Sequence, residues 1–190
     1  MMMVAAVAMI STAAVAGDYD NTAVKLTAQS DAYSISVKAP ETGATEFAVS
    51  VTTAPVDVTA TWSREGAVDN YALKAGKEVE VVGPVYAGAN AEFTFGDSYT
   101  SKTRTVVATP YVGVAHAMGQ LTPYAEVGYS FKSTTNDVLG FARNDSYLEV
   151  GASYAVTPAM AVKLSVSETR DINFKNAGDK NATVGITVKF

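Results

Sequence analysis

Glu126 and Glu149 sit on the polar side of two neighbouring alternating segments, and Lys163 sits on the polar side of the next. Two carboxylates facing one another across adjacent strands can share general acid and base work, or hold a cation. A lysine one segment further on makes a structural ion pair the stronger reading. The one histidine, His116, falls at a strand end beside a short turn, and no Ser or Asp can be tied to it by spacing. Asn136-Asp137 and Asn144-Asp145 lie in the longest polar stretch between segments, where ordinary loop chemistry outweighs a calcium site. There is no cysteine, which removes disulfides, thiolate zinc sites and cysteine nucleophiles. The expectation is a protein that is not an enzyme, with no catalytic residue, no cofactor and no metal. What remains is a set of isolated charges on otherwise small, polar faces: Glu46, Asp57, Glu92, Glu126, Glu149, Lys163 and Lys189.

Those charges are positioned by alternation. In residues 181–190 every second residue is apolar: Ala182, Val184, Ile186, Val188 and Phe190 form one face, and Asn181, Thr183, Gly185, Thr187 and Lys189 the other. A period of two means a strand with two unlike faces. The same pattern predicts ten strands, over 31–38, 45–53, 56–64, 70–82, 85–96, 104–116, 121–132, 145–156, 159–169 and 180–190. Residues 22–28 also alternate, out of phase with 33–37, as an extension of the first strand or an extra one; an extra one would imply twelve. Within 70–82, continuing the face of Leu73 and Val79 turns Lys77 to the apolar side, so a bulge or break is expected at Gly76.

The connections fall into two groups. Short turns are expected at Ala54-Pro55, Gly83-Pro84, Ala117 to Gln120 and Thr157-Pro158, and longer polar loops at 39–44, 64–70, 97–104, 132–145 and 169–180. Pro and Gly end strands and set the turn geometry. A soluble sandwich would alternate too, but its wet face would carry many Lys and Glu. Here that face is mostly Gly, Ser, Thr, Ala and Asn, which suits the filled interior of a narrow barrel, with the isolated charges in the lumen. Gly128, Gly151 and Gly185 face the same interior and relieve crowding there. Aromatic residues on the apolar face lie near strand ends (Tyr33, Trp62, Phe93, Phe95, Tyr129, Phe131, Tyr154 and Phe190), as interfacial girdles would.

The net charge of −5 and pI near 4.8 argue against a nucleic-acid partner. Residues 1–16 are uncharged and apolar apart from Ser11 and Thr12, and Ala14-Val15-Ala16 before Gly17 fits a cleavage site. The expected organisation is an export signal over 1–16 and a single domain over 17–190. Beyond the leader no run reaches the roughly 18–20 apolar residues of a helical span.

Taken together, the C-terminal half resembles the Gram-negative outer-membrane β-barrel superfamily, in a porin-like style. The resemblance rests on the alternating last strand ending in Phe190, on short turns opposite longer loops, and on the strand–turn from Gly151 to Pro158. It implies an all-β, antiparallel, up-and-down transmembrane barrel of about ten strands, within a range of eight to twelve. It implies a place in the cell outer membrane, with membrane lipid and the barrel insertion machinery as partners and Phe190 as part of the assembly signal. An even strand number would put both ends of the barrel on one rim. The activity it implies is a narrow passive channel for small hydrophilic solutes; the alternative is a closed structural or adhesive barrel acting through its outer loops.

Overall fold

The structure, a computed structural model, describes residues 20–52, 55–65, 68–97, 102–136, 138–141, 145–171, 174 and 176–190. The leader expected over 1–16 lies outside them. Among the described residues there are strands and no helix. The first half holds β1 (Asn21–Gln29), β2 (Tyr33–Pro40), β3 (Thr45–Thr52), β4 (Asp57–Glu65), β5 (Val68–Val82) and β6 (Val85–Asp97). The second holds β7 (Lys102–Ala115), β8 (Leu121–Asn136), β9 (Val138–Phe141), β10 (Asp145–Thr157), β11 (Met160–Asp171) and β12 (Ala177–Lys189).

All belong to one sheet, and it closes on itself as a barrel of 11 strands. Successive strands pair antiparallel from β1 to β8 and from β10 to β12. β10 bonds to the lower part of β8, from Asp145↔Ser130 to Tyr154↔Leu121. β9 pairs only with the far end of β8, from Ser133↔Phe141 to Asn136↔Val138, and so stands as a ribbon above the ring.

The ring closes where β1 meets β12, and that pair is parallel, in unbroken register from Asn21↔Asn181 to Gln29↔Lys189. An odd ring cannot alternate direction all the way round, so one neighbouring pair has to be parallel. Two bonds at the start of the seam, Asp20 N–H to the Lys180 carbonyl at 2.8 Å and Lys180 N–H to Asp20 Oδ2 at 2.6 Å, hold one end. Phe190 N–H to the Gln29 carbonyl at 3.1 Å holds the other.

This corrects three expectations. Residues 22–28 lie in a strand of their own, and no twelfth strand is needed in the ring, because parallel closure accepts an odd number. β1 starts at the rim where β12 starts, so the first and last strands of the barrel enter and leave at opposite rims. We call the rim at Phe190 the lower rim and the other the upper. The expected upper loops are also largely ladder: β8 runs on to Asn136, β11 to Asp171, and β12 begins at Ala177.

The expected bulge at Gly76 is absent. β5 keeps register through Gly76 and Lys77 with β6, and shifts only between Glu80 and Val82. β4 ends at Asp57, opposite Gly76. Lys77 therefore has no β4 neighbour beside it, and its Nζ turns round the strand end to 3.7 Å from Asp57 Oδ2. At Pro110, which has no N–H to give, the β7–β8 ladder is interrupted between Ala108↔Phe131 and Tyr111↔Gly128 and resumes in the same register.

The two faces separate fully. Ile35, Val49, Leu73, Val150 and Leu164 point outward and remain between 45% and 54% exposed. Among the described residues only Ala182 and Val184 are apolar and buried. A sandwich would show the reverse, its aliphatic face hidden between sheets. Outward aromatics gather near the rims. Phe47, Trp62, Tyr71 and Phe95 occupy one register row across β3 to β6 near the upper rim. In that row the Phe47 and Trp62 rings are 5.4 Å apart and those of Tyr71 and Phe95 5.1 Å. At the lower rim Tyr33 and Phe190 meet at 6.0 Å.

The parallel seam can be checked by cross-linking, since the chain has no cysteine of its own. Val24→Cys with Val184→Cys brings two register partners together. This pair should form a disulfide on mild oxidation, because neighbouring strands lie ~4.7–4.9 Å apart. Val24→Cys with Val188→Cys, four residues out of register, should not. The reverse result on gel mobility would place β1 elsewhere.

Candidate functional site

Among the described residues, three interior cavities are strung between the rims. The upper one, about 310 Å3, is lined by Glu46, Ser63, Asn70, Glu92 and Thr94 among others. The middle one, about 450 Å3, shares Glu46, Thr61 and Glu92 with it and adds Lys25, Lys38, Asp57 and Lys74. The lower one, about 500 Å3, shares Glu78 with the middle one and opens among Gly83, Pro84, Ala115 and Ser153. The three thus share lining residues in turn from the upper rim to the lower, and at Glu78, between the middle and lower ones, the Tyr111 hydroxyl donates a hydrogen bond at 3.3 Å.

One wall, from β5 to β11, is built of tyrosines interleaved with glycines. Tyr86 lies against Gly113, Tyr111 against Gly88, Tyr147 against Gly128, and Tyr124 against Gly151. These pairs stand opposite one another in the ladder. Any side chain on those glycines would overlap the ring beside it, so each glycine acts as the seat for a tyrosine lying flat on the wall. Laid flat, the phenols reach the acids: Tyr86 and Tyr147 both donate to Glu126, at 3.1 and 2.5 Å, and Tyr124 donates to Glu149. Hydrogen bonds to a carboxylate are stronger than neutral ones, so this wall is both filled and braced.

The wall from β1 to β4 differs. Between Lys25, Lys38, Glu46 and Asp57 its interior residues are Thr27, Ser34, Ser36, Ala48, Ser50, Thr59 and Thr61, all small, and they leave the space that the middle cavity occupies. Ser50 and Thr59 hydroxyls meet across β3 and β4 at 2.8 Å.

The expected interior charges fall as follows. Glu46 pairs with Lys38 at 3.5 Å, and Asp57 with Lys77. Glu92 accepts from Thr94 at 3.1 Å. Glu149 and Lys163 pair at 3.5 Å, with the Lys163 ammonium also 4.4 Å from the centre of the Tyr124 ring. Glu126 faces Glu149 directly in register, yet its oxygens are taken up by tyrosines and not by Lys163. Lys189 ends β12 opposite Gln29 and lines none of these three cavities. Gly185 lies in the interior row between Lys163 and Lys25.

Sequence reasoning passed over Tyr86, Tyr111, Tyr124 and Tyr147 as functional groups, along with Lys25, Lys38, Lys74, Glu78 and Glu80. The signal for the tyrosines is readable in retrospect: a Tyr on the polar face of one strand with a Gly on the polar face of the next. His116 sits in the β7–β8 connection, its backbone N–H on the Pro123 carbonyl at 3.1 Å, and lines none of the cavities. Asp137 and Asn144 lie outside the described residues, and Asp145 opens β10. Among the described residues no group of three acids or histidines is arranged to hold a metal. The chain matches no protein-family model and no curated protein.

The two kinds of interior contact should differ in worth. Tyr147→Phe removes a donor to a charged acceptor and is expected to cost about 1.5–3 kcal/mol. Lys163 is 51% exposed and its pair is solvent-screened, so Lys163→Ala should cost only about 0–1 kcal/mol. Urea unfolding of the two variants in one detergent would show the order; a larger loss from Lys163→Ala would make the ion pair the brace.

Proposed function

We propose that this chain is a transmembrane β-barrel of the Gram-negative outer membrane, giving small hydrophilic solutes a narrow passive route. The observation that carries the reading is the inversion of polarity: a closed ring with an exposed aliphatic belt outside and charges, hydroxyls and cavities inside. Water would leave that belt as a large exposed apolar surface, whereas lipid satisfies it.

The belt has chemically marked edges. Above the Phe47–Trp62–Tyr71–Phe95 row come Arg64 and Asp69, 3.8 Å apart, and the Trp62 indole N–H donates to Asp69 at 3.3 Å. On β11 the same outward face passes from Val166 to Glu168 and Arg170, which pair at 3.0 Å. Aromatic rings with a polar partner on the far side suit the boundary between acyl chains and headgroups. Strands of 8 to 16 residues meet the roughly 9–11 needed for a tilted crossing, or come within a residue of it at β2 and β3. Phe190, 72% exposed at the lower rim, is accessible to insertion machinery.

Eleven strands lie between the filled eight-stranded barrel and the open 16–18-stranded porin. The route is accordingly narrow, with Glu78, bonded by Tyr111, lining both the middle and the lower cavity. The alternative, a closed barrel that acts through its outer surface, is favoured by one feature: the braced tyrosine wall, which fills much of the section.

Conductance in planar bilayers separates the two, since only the first reading gives ion current from a single inserted barrel. Membrane insertion is tested independently. Val150→Arg, on the outward belt, should destabilise the barrel in liposomes by about 2–4 kcal/mol near the midplane. Ser153→Arg, lining the lower cavity, should insert without that penalty. Equal tolerance at both positions would speak for a water-soluble barrel.

A further inference from the structure

The ladder sets Lys163, Gly185, Lys25 and Lys38 side by side on β11, β12, β1 and β2, all on the interior face. Lys25 and Lys38 are direct cross-strand neighbours, and Lys163 stands one strand beyond the glycine. Like charges directly opposite on a sheet repel. The two outer lysines have each a carboxylate: Lys38 has Glu46 and Lys163 has Glu149, both at 3.5 Å. Lys25, between them, has none within ion-pair distance among the described residues. Lys163 and Lys38 flank it along the row, and Glu46, the partner of Lys38, lines the same cavity. Lys74 enters the same cavity from β5, opposite Glu92 in register but without closing to an ion pair.

Lys25 is open to the cavity, and its like-charged neighbour Lys38 stands directly opposite, so an anion joining the two would relieve their repulsion. The cavity in front of Lys25 has room for about 450 Å3 of solvent or solute. Thr27 and Ser36, two residues along on the same face, line it with hydroxyl donors. The cavity is also lined by Glu46, Asp57, Glu78 and Glu92, of which Glu46 pairs with Lys38 and Asp57 with Lys77. On its seam side the ammonium groups and hydroxyls form the donor set for a compact oxyanion.

We propose that Lys25, with Lys38 beside it and Lys74 across the cavity, anchors a binding site for a small oxyanion carrying two negative charges. The site lies at the parallel seam, midway along the interior route, and rests on the reading of that interior as a path for solutes. An anion passing through would meet this station between two mouths lined by acids. Binding is measured in detergent micelles, so it can be found even where bilayer conductance is nil, and the two readings fail separately.

The probes are inorganic phosphate and succinate, each compared with sodium chloride at matched ionic strength. Both dianions carry the shared chemistry; their relative affinity tells a tetrahedral head from an extended dicarboxylate. At low salt either dianion should raise the melting temperature of the intact chain, and chloride should do so less. Lys25→Gln should weaken the dianion's apparent Kd by about tenfold or more, as expected for loss of a charged donor. Lys189→Gln, on the lower rim, should bind as the parent does. Without added anion, Lys25→Gln should melt above the parent at low ionic strength, because repulsion is relieved. That gain guards against a variant that merely fails to fold. Equal effects of chloride and dianion would reduce the observation to screening and overturn the site. So would undiminished binding in Lys25→Gln, or a lower melting temperature of that variant in the absence of anion.

Discussion

A sheet with an open edge offers unpaired N–H and C=O groups, a ready template for pairing with another chain. Closure is therefore the constraint on which this molecule depends, and eleven strands allow it only with one parallel pair. The pair falls where the chain's first and last strands meet. This is the one closure that leaves every hairpin intact, since any other position would break a tight antiparallel connection. Parallel bonding is slightly weaker per residue than antiparallel. The seam offsets this with length, nine continuous partners, and with bonds from Asp20 and Phe190 that extend it at both ends.

Closure also fixes what each face must be. Once the ring is shut, side chains of one parity have no exit from the interior, and the narrow section limits their bulk. The molecule meets that limit in two ways. From β5 to β11 it uses large rings laid flat on glycines, tied by their phenols to Glu78, Glu126 and Glu149. From β1 to β4 it uses Ser, Thr and Ala and leaves space. The first wall gives stiffness and the second gives room. The middle cavity accordingly lies beside the small-residue wall, while the lower one opens at the lower rim among Tyr86, Tyr124 and their acids.

Alternation made the face of nearly every strand legible: the parity assigned to Val112, Tyr129, Val150 and Leu164 is the parity they have. A period of two is a local property and survives any arrangement of neighbours. Closure is not local. Nothing in Thr22 to Ala28 states that β1 lies beside β12, so an even barrel was the natural expectation and an odd one the result. Lys77 failed for a related reason. Its parity was read correctly, but the free space beside it depends on where β4 ends, and β4 is another part of the chain. The ion pair of Glu149 and Lys163 could be anticipated from adjacent strands, whereas the capture of Glu126 by Tyr86 required the width of β7 and β8 to be known.

The lysine row at the seam follows from the same geometry. Lys25 and Lys38 become neighbours through the β1–β2 hairpin, but Lys163 joins them only because closure brings β12, with Gly185, to the other side of β1. In an even, fully antiparallel barrel lacking β1, Gly185 would face a different strand and Lys38 would lose its like-charged neighbour. The concentration of positive charge is thus a product of the parallel seam. It also lines the middle cavity. Below it the lower cavity carries Glu78, Glu80, Glu126 and Glu149 against Lys163 alone, and above it the upper cavity carries Glu46 and Glu92. The middle cavity itself balances Lys25, Lys38, Lys74 and Lys77 with Glu46, Asp57, Glu78 and Glu92. What the parallel seam adds is a local grouping of like charges, Lys25 beside Lys38, and not an excess of either sign in the cavity as a whole.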